Sequence, residues 1–276
     1  MFLDQYLVDE SGNKYSKGPK LDEVGVLTAV MEAEEIFGDY TVALIRAEHE
    51  SIVSENAQVL EEAVADWIDK IKEFFEKLWN AVKKFATWVW GQITSVFMKR
   101  DAWVKKYSTE IDAGAAKAAK KTGVQWTVKK SDVAFGVPAI SNVQHSIQKK
   151  KVEDLEAGYD ALKDVLARQD EKSNIKGSAI TSYVAACKKF VMNTKMRDTK
   201  KLFDNVLKDI KIGKENAVKA AKVDKDTATV NKERKMASLK ARMVQAHYRA
   251  ISSAYSYAYS ICKKAYNYNT FGKEEK

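Results

Sequence analysis

The sequence predicts an all-α protein built from long amphipathic helices in an elongated bundle. Three observations support this prediction: only two prolines in 276 residues, two long runs of apolar residues at heptad spacing, and almost none of the Asn-Gly or Asp-Gly turns that join antiparallel strands. Proline breaks helices because it lacks a backbone N–H, so its scarcity permits long ones. A short irregular or β-like hinge is predicted near residues 123–140.

The composition indicates a folded chain whose charge changes sign along its length. Hydrophobic residues make up 45% of the sequence, which is enough for a packed core and argues against wholesale disorder. Residues 1–66 contain 4 basic and 15 acidic residues, a net charge of −11. Residues 67–140 have a net charge of +7, and residues 141–276 one of +13. The basic body is therefore either neutralised by the acidic head or available to polyanions and acidic partners.

Residues 1–56 are predicted as an acidic N-terminal arm with helices. Residues 1–20 are polar and are expected to be irregular. Residues 21–37 are predicted as the first helix, which Gly38 ends, and a second helix is expected from about Thr41. The apolar residues near one side of the first helix are Val24, Leu27, Val30, Met31 and Phe37.

Residues 57–122 are predicted as an amphipathic helical hairpin rich in Trp and Phe. Apolar residues between 60 and 88 alternate at spacings of 4 and 3, which is the a/d pattern of associating helices. A second apolar stripe beside this seam widens the face, so the helix is expected to pack against two or more neighbours. The residues predicted to form helix–helix contacts are Leu60, Val64, Trp67, Ile71, Phe74, Leu78, Phe85 and Trp88.

Residues 123–140 are predicted as the main hinge. Gly123 is expected to stop the helix before it, and residues 124–128 alternate apolar and polar side chains like a short strand. Pro138 breaks the chain again.

Residues 141–276 are predicted as a basic helical region. Ser141 and Gln144 fit a capping box, which predicts a helix from that point to about Gln169. A polar loop is expected over residues 170–177.

Further helices are predicted over residues 178–194 and 198–212, the second ending at Gly213. Residues 214–235 are rich in Lys and Ala, which predicts an exposed stretch with helical tendency. A second heptad seam begins at Ala241, where small residues alternate with tyrosines whose rings can be buried. The seam residues predicted to form helix–helix contacts are Tyr248, Ile251 and Tyr255.

Two basic clusters are the candidates for contact with a polyanion such as DNA. Such contact would be non-specific and sensitive to salt, because lysine and arginine neutralise phosphates without reading bases. The alternative is that these residues are solvated helix faces. The candidate residues are Lys149, Lys150, Lys151, Lys232, Arg234 and Lys235.

The sequence predicts neither a signal peptide nor a membrane-spanning helix. The N-terminus lacks a basic region followed by an apolar one. The uncharged run from Phe85 to Met98 has 14 residues, fewer than the about 20 that a spanning helix needs. The aromatic, lysine-rich segment 67–103 fits core or subunit packing best, with a membrane-surface helix or nucleic-acid stacking as alternatives. Cys187 and Cys262 are expected to be reduced core thiols, although a disulfide between them stays open.

Motifs that carry chemistry are absent from the sequence. It contains no phosphate-binding glycine loop, no nucleophile elbow and no His-Glu-x-x-His motif. His49, between Glu48 and Glu50, belongs to the densest titratable cluster, but consecutive helical residues point in different directions. His145 is expected to be structural, and His247 to pack beside Tyr248. The sequence therefore predicts no catalytic residues, no metal and no cofactor.

The helical, Lys- and Ala-rich chain, its acidic leader and its lack of enzyme motifs resemble internal head and prohead-core proteins of large tailed bacteriophages. Leu60, Glu61, Glu62 and Ala63 are similar to the Leu-x-Glu/Ala sites that proteases of T4-like proheads cut. The resemblance implies a cut between Glu62 and Ala63. That cut would separate a leader of net charge −10 from a body of +19.

The sequence thus favours a structural phage virion or head-assembly protein that acts through helix–helix association. Its expected partners are itself and other virion proteins, and its expected location is the virion, after assembly in the host cytoplasm. A nucleic-acid-associated packaging protein that uses the basic body is the first alternative. A membrane-active amphipathic helical protein is the second. An enzyme with a small-molecule substrate is the class least favoured.

Overall fold

The structure is a computed structural model that describes residues 6–8, 14–16, 57–130, 140–168, 171–223 and 226–271. The helices of these residues are α1 (Ala57–Gln92), α2 (Met98–Lys106), α3 (Ser108–Lys120), α4 (Ile140–Ile147), α5 (Val152–Arg168), α6 (Ser178–Asn193), α7 (Met196–Val223) and α8 (Thr227–Phe271). A π-helical turn, Ile93–Phe97, joins α1 to α2. The strands are β1 (Tyr6–Val8), β2 (Lys14–Ser16), β3 (Gln125–Lys129) and β4 (Lys172–Lys176).

The predicted all-α class is confirmed. The two longest helices form where apolar residues repeat at heptad spacing. In α1, Ile71 and Leu78 are fully buried, and in α8 Tyr255 is 1% exposed. Because the apolar positions recur every 3 or 4 residues, each helix turns one continuous stripe toward its neighbours. Burial of each such side chain contributes about 2 kcal/mol to stability.

The chain divides into two compact units, each assembled from segments that are distant in sequence. The first comprises Met1–Val89, Lys150–Val152 and Phe203–Gln245, and the second comprises Trp90–Lys149, Glu153–Leu202 and Ala246–Lys276. This division differs from the sequential one predicted above. Three long helices, α1, α7 and α8, each contribute residues to both units, so the units cannot be consecutive stretches of chain.

In the first unit, the C-terminal part of α7 packs against α1 on one side and contacts the N-terminal part of α8 on another. The rings of Phe85 and Phe203 meet edge to face with centroids 5.5 Å apart. Asp209 accepts a hydrogen bond of 2.6 Å from Lys240 Nζ, and the lysine side chain is 11% exposed. Gly213 of α7 lies where a Cβ atom would be 3.2 Å from the ring of Phe75. Small and large side chains thus alternate between the helices, as close packing requires.

The second unit packs α3 and α6 against the C-terminal part of α8. Gly114 of α3 lies directly against the backbone of Ala265. Lys188 of α6 forms an ion pair with Asp112 at 2.5 Å. The hydroxyl of Tyr255 donates to the carbonyl oxygen of Phe97 at 3.1 Å, which satisfies a backbone acceptor of the π-helical turn. Polar contacts therefore flank a core made of helix faces.

A two-stranded antiparallel sheet lies in the second unit. Strand β3 pairs with β4, with Trp126 opposite Ile175, and Trp126 is fully buried. Two tyrosines fix the end of β3: the Tyr183 hydroxyl donates to the carbonyl of Lys129, and the amide of Lys129 donates to Tyr257. The strand predicted at residues 124–128 is confirmed at Gln125–Lys129. The helix that Gly123 was expected to stop ends at Lys120, and Gly123, with a φ of +83°, lies in the turn that leads to β3. Residues 131–139 of the predicted hinge lie outside the described residues.

Where a hairpin was predicted over residues 57–122, the chain is helical from Ala57 to Lys120 except at Tyr107, and no longer loop separates two helices. Tyr107 alone leaves helical geometry between α2 and α3. The amide of Tyr107 still donates to Trp103, and that of Ile111 to Tyr107, both at 3.0 Å. The helical hydrogen-bond pattern therefore passes through the break.

Two local predictions at helix starts and in the N-terminal arm are also corrected. The arm expected to be irregular contains β1 and β2, which pair with Leu7 opposite Tyr15. The helix predicted from Ser141 begins at Ile140, and the side chains of Ser141 and Gln144 lie outside the described part of the chain. The single helix predicted to run to Gln169 is split by three lysines that follow α4. The acidic Glu153 in the first turn of α5 favours a new helix there, since the N-terminus of a helix attracts negative charge.

Three further predictions in the C-terminal half are corrected by contacts distant in sequence. Residues 170–177 contain β4 because β3 offers it a partner. Gly213 does not end α7 but lies inside it, where its missing side chain admits Phe75. The stretch 214–235 is helical on both sides of a short link, and Ala217, Ala221 and Val230 in it are fully buried. The predicted helix 21–37 and the cluster around His49 lie outside the described residues.

Candidate functional site

A groove between α1 and α7 is the candidate functional site of the first unit. Its first part has a volume of about 420 Å³ and its second about 590 Å³, and the two parts share Lys211 and Lys214. The first part is lined by Phe75, Glu76, Trp79, Asn80, Ile210, Lys211 and Lys214. The second is lined by Lys72, Lys211, Lys214, Glu215, Val218, Lys219, Lys222 and Val223.

The close approach of the two helices fixes the depth of this groove. Gly213 sets Phe75 against α7, and beside it Lys214 Nζ lies 2.7 Å from a carboxylate oxygen of Glu76. That ion pair joins the two helices at the point where the two parts of the groove meet. Because both side chains are partly exposed, the pair orients the helices more than it stabilises them.

The floor of the groove is apolar. Phe75 and Ile210 are 1% exposed and form its base, whereas Val223 at the far end is 69% exposed. Trp79 borders the floor, with the ammonium of Lys83 4.7 Å from its ring centroid. The half-buried Trp79 and Val218 and the exposed Val223 leave apolar surface along the groove that a partner with its own apolar face can cover.

The walls of the groove are basic. Five of the lining residues are lysines and two are glutamates, so the lining has a net charge of +3. Among the described residues, no carboxylate forms an ion pair with Lys211, Lys219 or Lys222. Lys72 donates a hydrogen bond to Asp69 beside the groove, which lowers the pKa of that carboxyl below its ordinary value. An anionic partner would therefore be attracted to this groove.

The residues predicted for helix–helix contact are mostly buried inside the units. Val64 and Trp88 are half-buried, and Leu60 lies in α1 with a side chain that is not described. The buried members are Trp67, Ile71, Phe74, Leu78, Phe85, Tyr248, Ile251 and Tyr255. Contacts within the units account for this burial. Association between molecules through these residues stays a prediction.

The candidate polyanion residues are distributed over two elements. Lys150 and Lys151 are exposed and Lys149 is half-buried, all in the link between α4 and α5. The other cluster is on the N-terminal part of α8, where Lys232 and Lys235 are exposed and Arg234 is half-buried. Contact with DNA at either place stays a prediction.

The candidate protease site lies within a helix. Glu62 is exposed and Ala63 half-buried, both in the second turn of α1. Cleavage there would require that turn to unwind, because proteases cut exposed, extended chain far more readily than helix.

The histidines and cysteines of the described chain lie apart from one another or are buried. Within the described ranges, no three His, Cys, Asp or Glu side chains could hold one metal ion. His145 is exposed, whereas His247 is fully buried and burial lowers its pKa to about 4. Cys187 and Cys262 are free and buried, and burial raises the pKa of both thiols, that of Cys262 to about 12. Both thiols are therefore protonated and unreactive at neutral pH.

The aromatic segment considered as a membrane-surface helix has its apolar face turned inward. Phe75, Val82 and Val89 are 1% exposed, while Trp90 and Met98 are the large apolar residues of the segment that reach 37% or more. No described helix combines the length and the apolar character needed to cross a bilayer.

Sequence reasoning missed the groove, although one signal for it was present. Lys211, Lys214 and Lys222 recur at spacings that keep them on one side of a helix. The prediction that α7 ends at Gly213 hid this periodicity. The position of α1 opposite these lysines could not be read from the local sequence.

Comparison of the chain with protein-family models, with curated proteins and with solved structures finds no match.

Proposed function

We propose that this chain is a structural component of a bacteriophage particle and works by helix–helix association. The observation that best supports this proposal is the groove between α1 and α7, where an apolar floor lies between lysine-bearing walls. Two packed helices that leave such a groove offer a docking site for a third amphipathic helix. The phage setting is supported by the resemblance in composition and by the order of acidic leader and basic body.

The buried seams support the choice of the groove as the association surface. Phe74 and Leu78 are already packed within the first unit, so a partner would reach them only if that unit opened. The groove is accessible without any unfolding. Its partners in this proposal are other copies of the chain or other virion proteins, and assembly takes place in the host cytoplasm.

The experiment that tests the phage setting is mass spectrometry of gradient-purified particles of the phage that encodes this chain. We expect the chain in a fixed ratio to the other virion proteins. Particles without it would reject the proposal. The same measurement reads the mass of the chain, so it also tests the cut between Glu62 and Ala63.

Association is tested by light scattering of the purified full-length chain at low and high salt. A discrete oligomer that survives high salt is expected, because apolar contacts on the groove floor are not screened by ions. A monomer at both salt concentrations would show that the chain does not self-associate. It would overturn the proposal that other copies of the chain bind in the groove.

A second candidate is non-specific binding of DNA during packaging. It is favoured by the exposure of Lys150 and Lys151, two adjacent lysines in a link between helices. The test is the salt dependence of binding to a labelled DNA duplex. Reversing the charges of Lys149, Lys150 and Lys151 to glutamate should reduce the slope of log affinity against log salt by about 3. No binding at low salt would reject this candidate.

A further inference from the structure

We propose that the groove between α1 and α7 is the docking site of this chain's own acidic segment, residues 21–37. The inference rests on the proposed function only in treating the groove as a docking surface for a helix. It is independent of the phage setting. Residues 21–37, as the occupant of the groove, would compete with any other acidic partner for the same surface.

Charge complementarity is the first argument. Residues 21–37 contain five acidic residues and no basic residue. The groove lining has five lysines against two glutamates, and among the described residues Lys211, Lys219 and Lys222 form no ion pair with a carboxylate. An acidic helix placed between these lysines would gain several partly desolvated charge pairs at once.

The second argument is the match of apolar residues. In a helix over residues 21–37, the side chains of Val24, Leu27 and Met31 lie along one side at spacings of 3 and 4. This is the anchor pattern of amphipathic helices that bind in grooves. Phe75 and Ile210 are already packed at the base, so the apolar contacts would be made with the half-buried Trp79 and Val218 and the 69%-exposed Val223.

The lengths also agree. The groove follows α7 from Ile210 to Val223, which at 1.5 Å per residue is about 20 Å. A helix over residues 21–37 would be about 25 Å long by the same measure. The segment can therefore span both parts of the groove.

The covalent connection favours the same molecule over a second copy. Nineteen residues separate Phe37 from Ala57, the first residue of α1, and could span up to about 60 Å when fully extended. Lys72, at the groove, is about 22 Å further along α1. A tether of this length gives an effective concentration in the millimolar range, above that of free copies in a dilute solution.

The test is zero-length carbodiimide cross-linking of the full chain, followed by mass spectrometry. An equal mixture of ¹⁴N- and ¹⁵N-labelled chains separates cross-links within a molecule from those between molecules. We expect amide cross-links from Lys72, Lys214 or Lys219 to Glu32, Glu34 or Glu35, and these should be isotopically unmixed.

Two charge-reversal variants sharpen the test. The K211E/K222E variant retains Lys72, Lys214 and Lys219, whose cross-links to residues 21–37 can still be measured. The yield of these cross-links should fall at least fivefold. K150E/K151E changes the net charge equally and should leave them unchanged. In E32K/E35K, cross-links from Glu34 and Glu23 to the groove should fall likewise, and combining this change with K211E/K222E should restore them.

Each other outcome overturns the inference. Isotopically mixed cross-links would assign the groove to a second copy. An equal loss of groove cross-links in K150E/K151E would mean that the overall charge of the chain, and not the groove lysines, controls cross-linking. The unaltered chain could instead give no groove cross-links, while added DNA protects Lys211 and Lys219 from chemical acetylation. That result would assign the groove to nucleic acid. If K211E/K222E fails to fold, as judged by its circular dichroism, E32K/E35K decides instead, because it leaves every lysine of the groove unchanged.

Discussion

Gly114 of α3 lies so close to α8 that a Cβ atom on it would be 1.8 Å from the carbonyl oxygen of Ala265. The nearest neighbours are backbone atoms, which cannot move aside as a flexible side chain would. Only a residue without a side chain permits the two helices to approach this closely. The contact fixes the distance between α3 and α8 in the second unit.

Replacing Gly114 by alanine is therefore expected to destabilise the protein. The helices must separate to admit the methyl group, which should cost about 3 kcal/mol or more in the free energy of unfolding. Urea denaturation followed by circular dichroism measures this. The matched control is Gly91→Ala in α1, where no atom lies within 4 Å of the added carbon and helix propensity should add about 0.5–1 kcal/mol. Equal stabilities of the two variants would contradict the close contact.

The buried seam of α1 gives a second prediction. Leu78 is fully buried, so Leu78→Ala should lower the free energy of unfolding by about 2–5 kcal/mol through lost burial and a residual cavity. Ile212, which is 53% exposed on α7, is the control, and Ile212→Ala should change stability by less than about 0.5 kcal/mol. A small effect at Leu78 would mean that the seam is not packed within the first unit.

The third prediction concerns acid stability. His247 is fully buried, neither ring nitrogen has a hydrogen-bond partner among the described residues, and burial lowers its pKa to about 4 from 6.5. The unfolded state therefore binds the proton more readily between pH 6.5 and 4. The stability from the neutral imidazole is complete above pH 6.5 and decreases as the pH falls, by about 2 kcal/mol at pH 5.

Urea denaturation at neutral pH and at pH 5 measures this loss. His247→Phe should remove most of that difference, because phenylalanine has no proton to bind. His145→Asn, at an exposed histidine, should leave it in place. A pH dependence unchanged by His247→Phe would place its origin elsewhere.

The fourth prediction compares two buried tyrosine hydroxyls of α8. The hydroxyl of Tyr255 donates to the carbonyl of Phe97, so Tyr255→Phe removes a buried hydrogen bond and should cost about 1 kcal/mol. The hydroxyl of Tyr268 is buried without a partner among the described residues, so Tyr268→Phe should be neutral or stabilising. Thermal denaturation of both variants provides the comparison, and an equal loss in both would argue against the Tyr255 hydrogen bond.

The sequence predicted α1 and α8 because their signal is local. Ile71, Phe74 and Leu78 repeat with the period of one helix, and Tyr248 and Tyr255 do so in another, so no knowledge of the partner surface was needed. The strand at Gln125–Lys129 was predicted for the same reason, since alternation along five residues is a local property.

The features that could not be predicted depend on residues distant in sequence. Strand β4 forms because Ile175 meets Trp126, and nothing in its own sequence alternates clearly. Gly213 has the composition of a helix end, yet Phe75 explains why it lies inside α7. The groove could not be predicted for the same reason. Its lysines on α7 line a groove only because α1, which is distant in sequence, lies opposite them. The two compact units could not be predicted either, because each is assembled from segments that are distant in sequence.

The discontinuous make-up of the first unit has a consequence for synthesis on the ribosome. Its α1 segment ends at Val89, but the α7 and α8 segments that cover it begin only at Phe203. At about 5–20 residues per second, translation of the intervening chain takes on the order of ten seconds. During that interval Trp67, Phe74 and Leu78 have no native neighbours from the later helices. A nascent chain with so long a wait is a natural client for chaperones that shield aromatic surface.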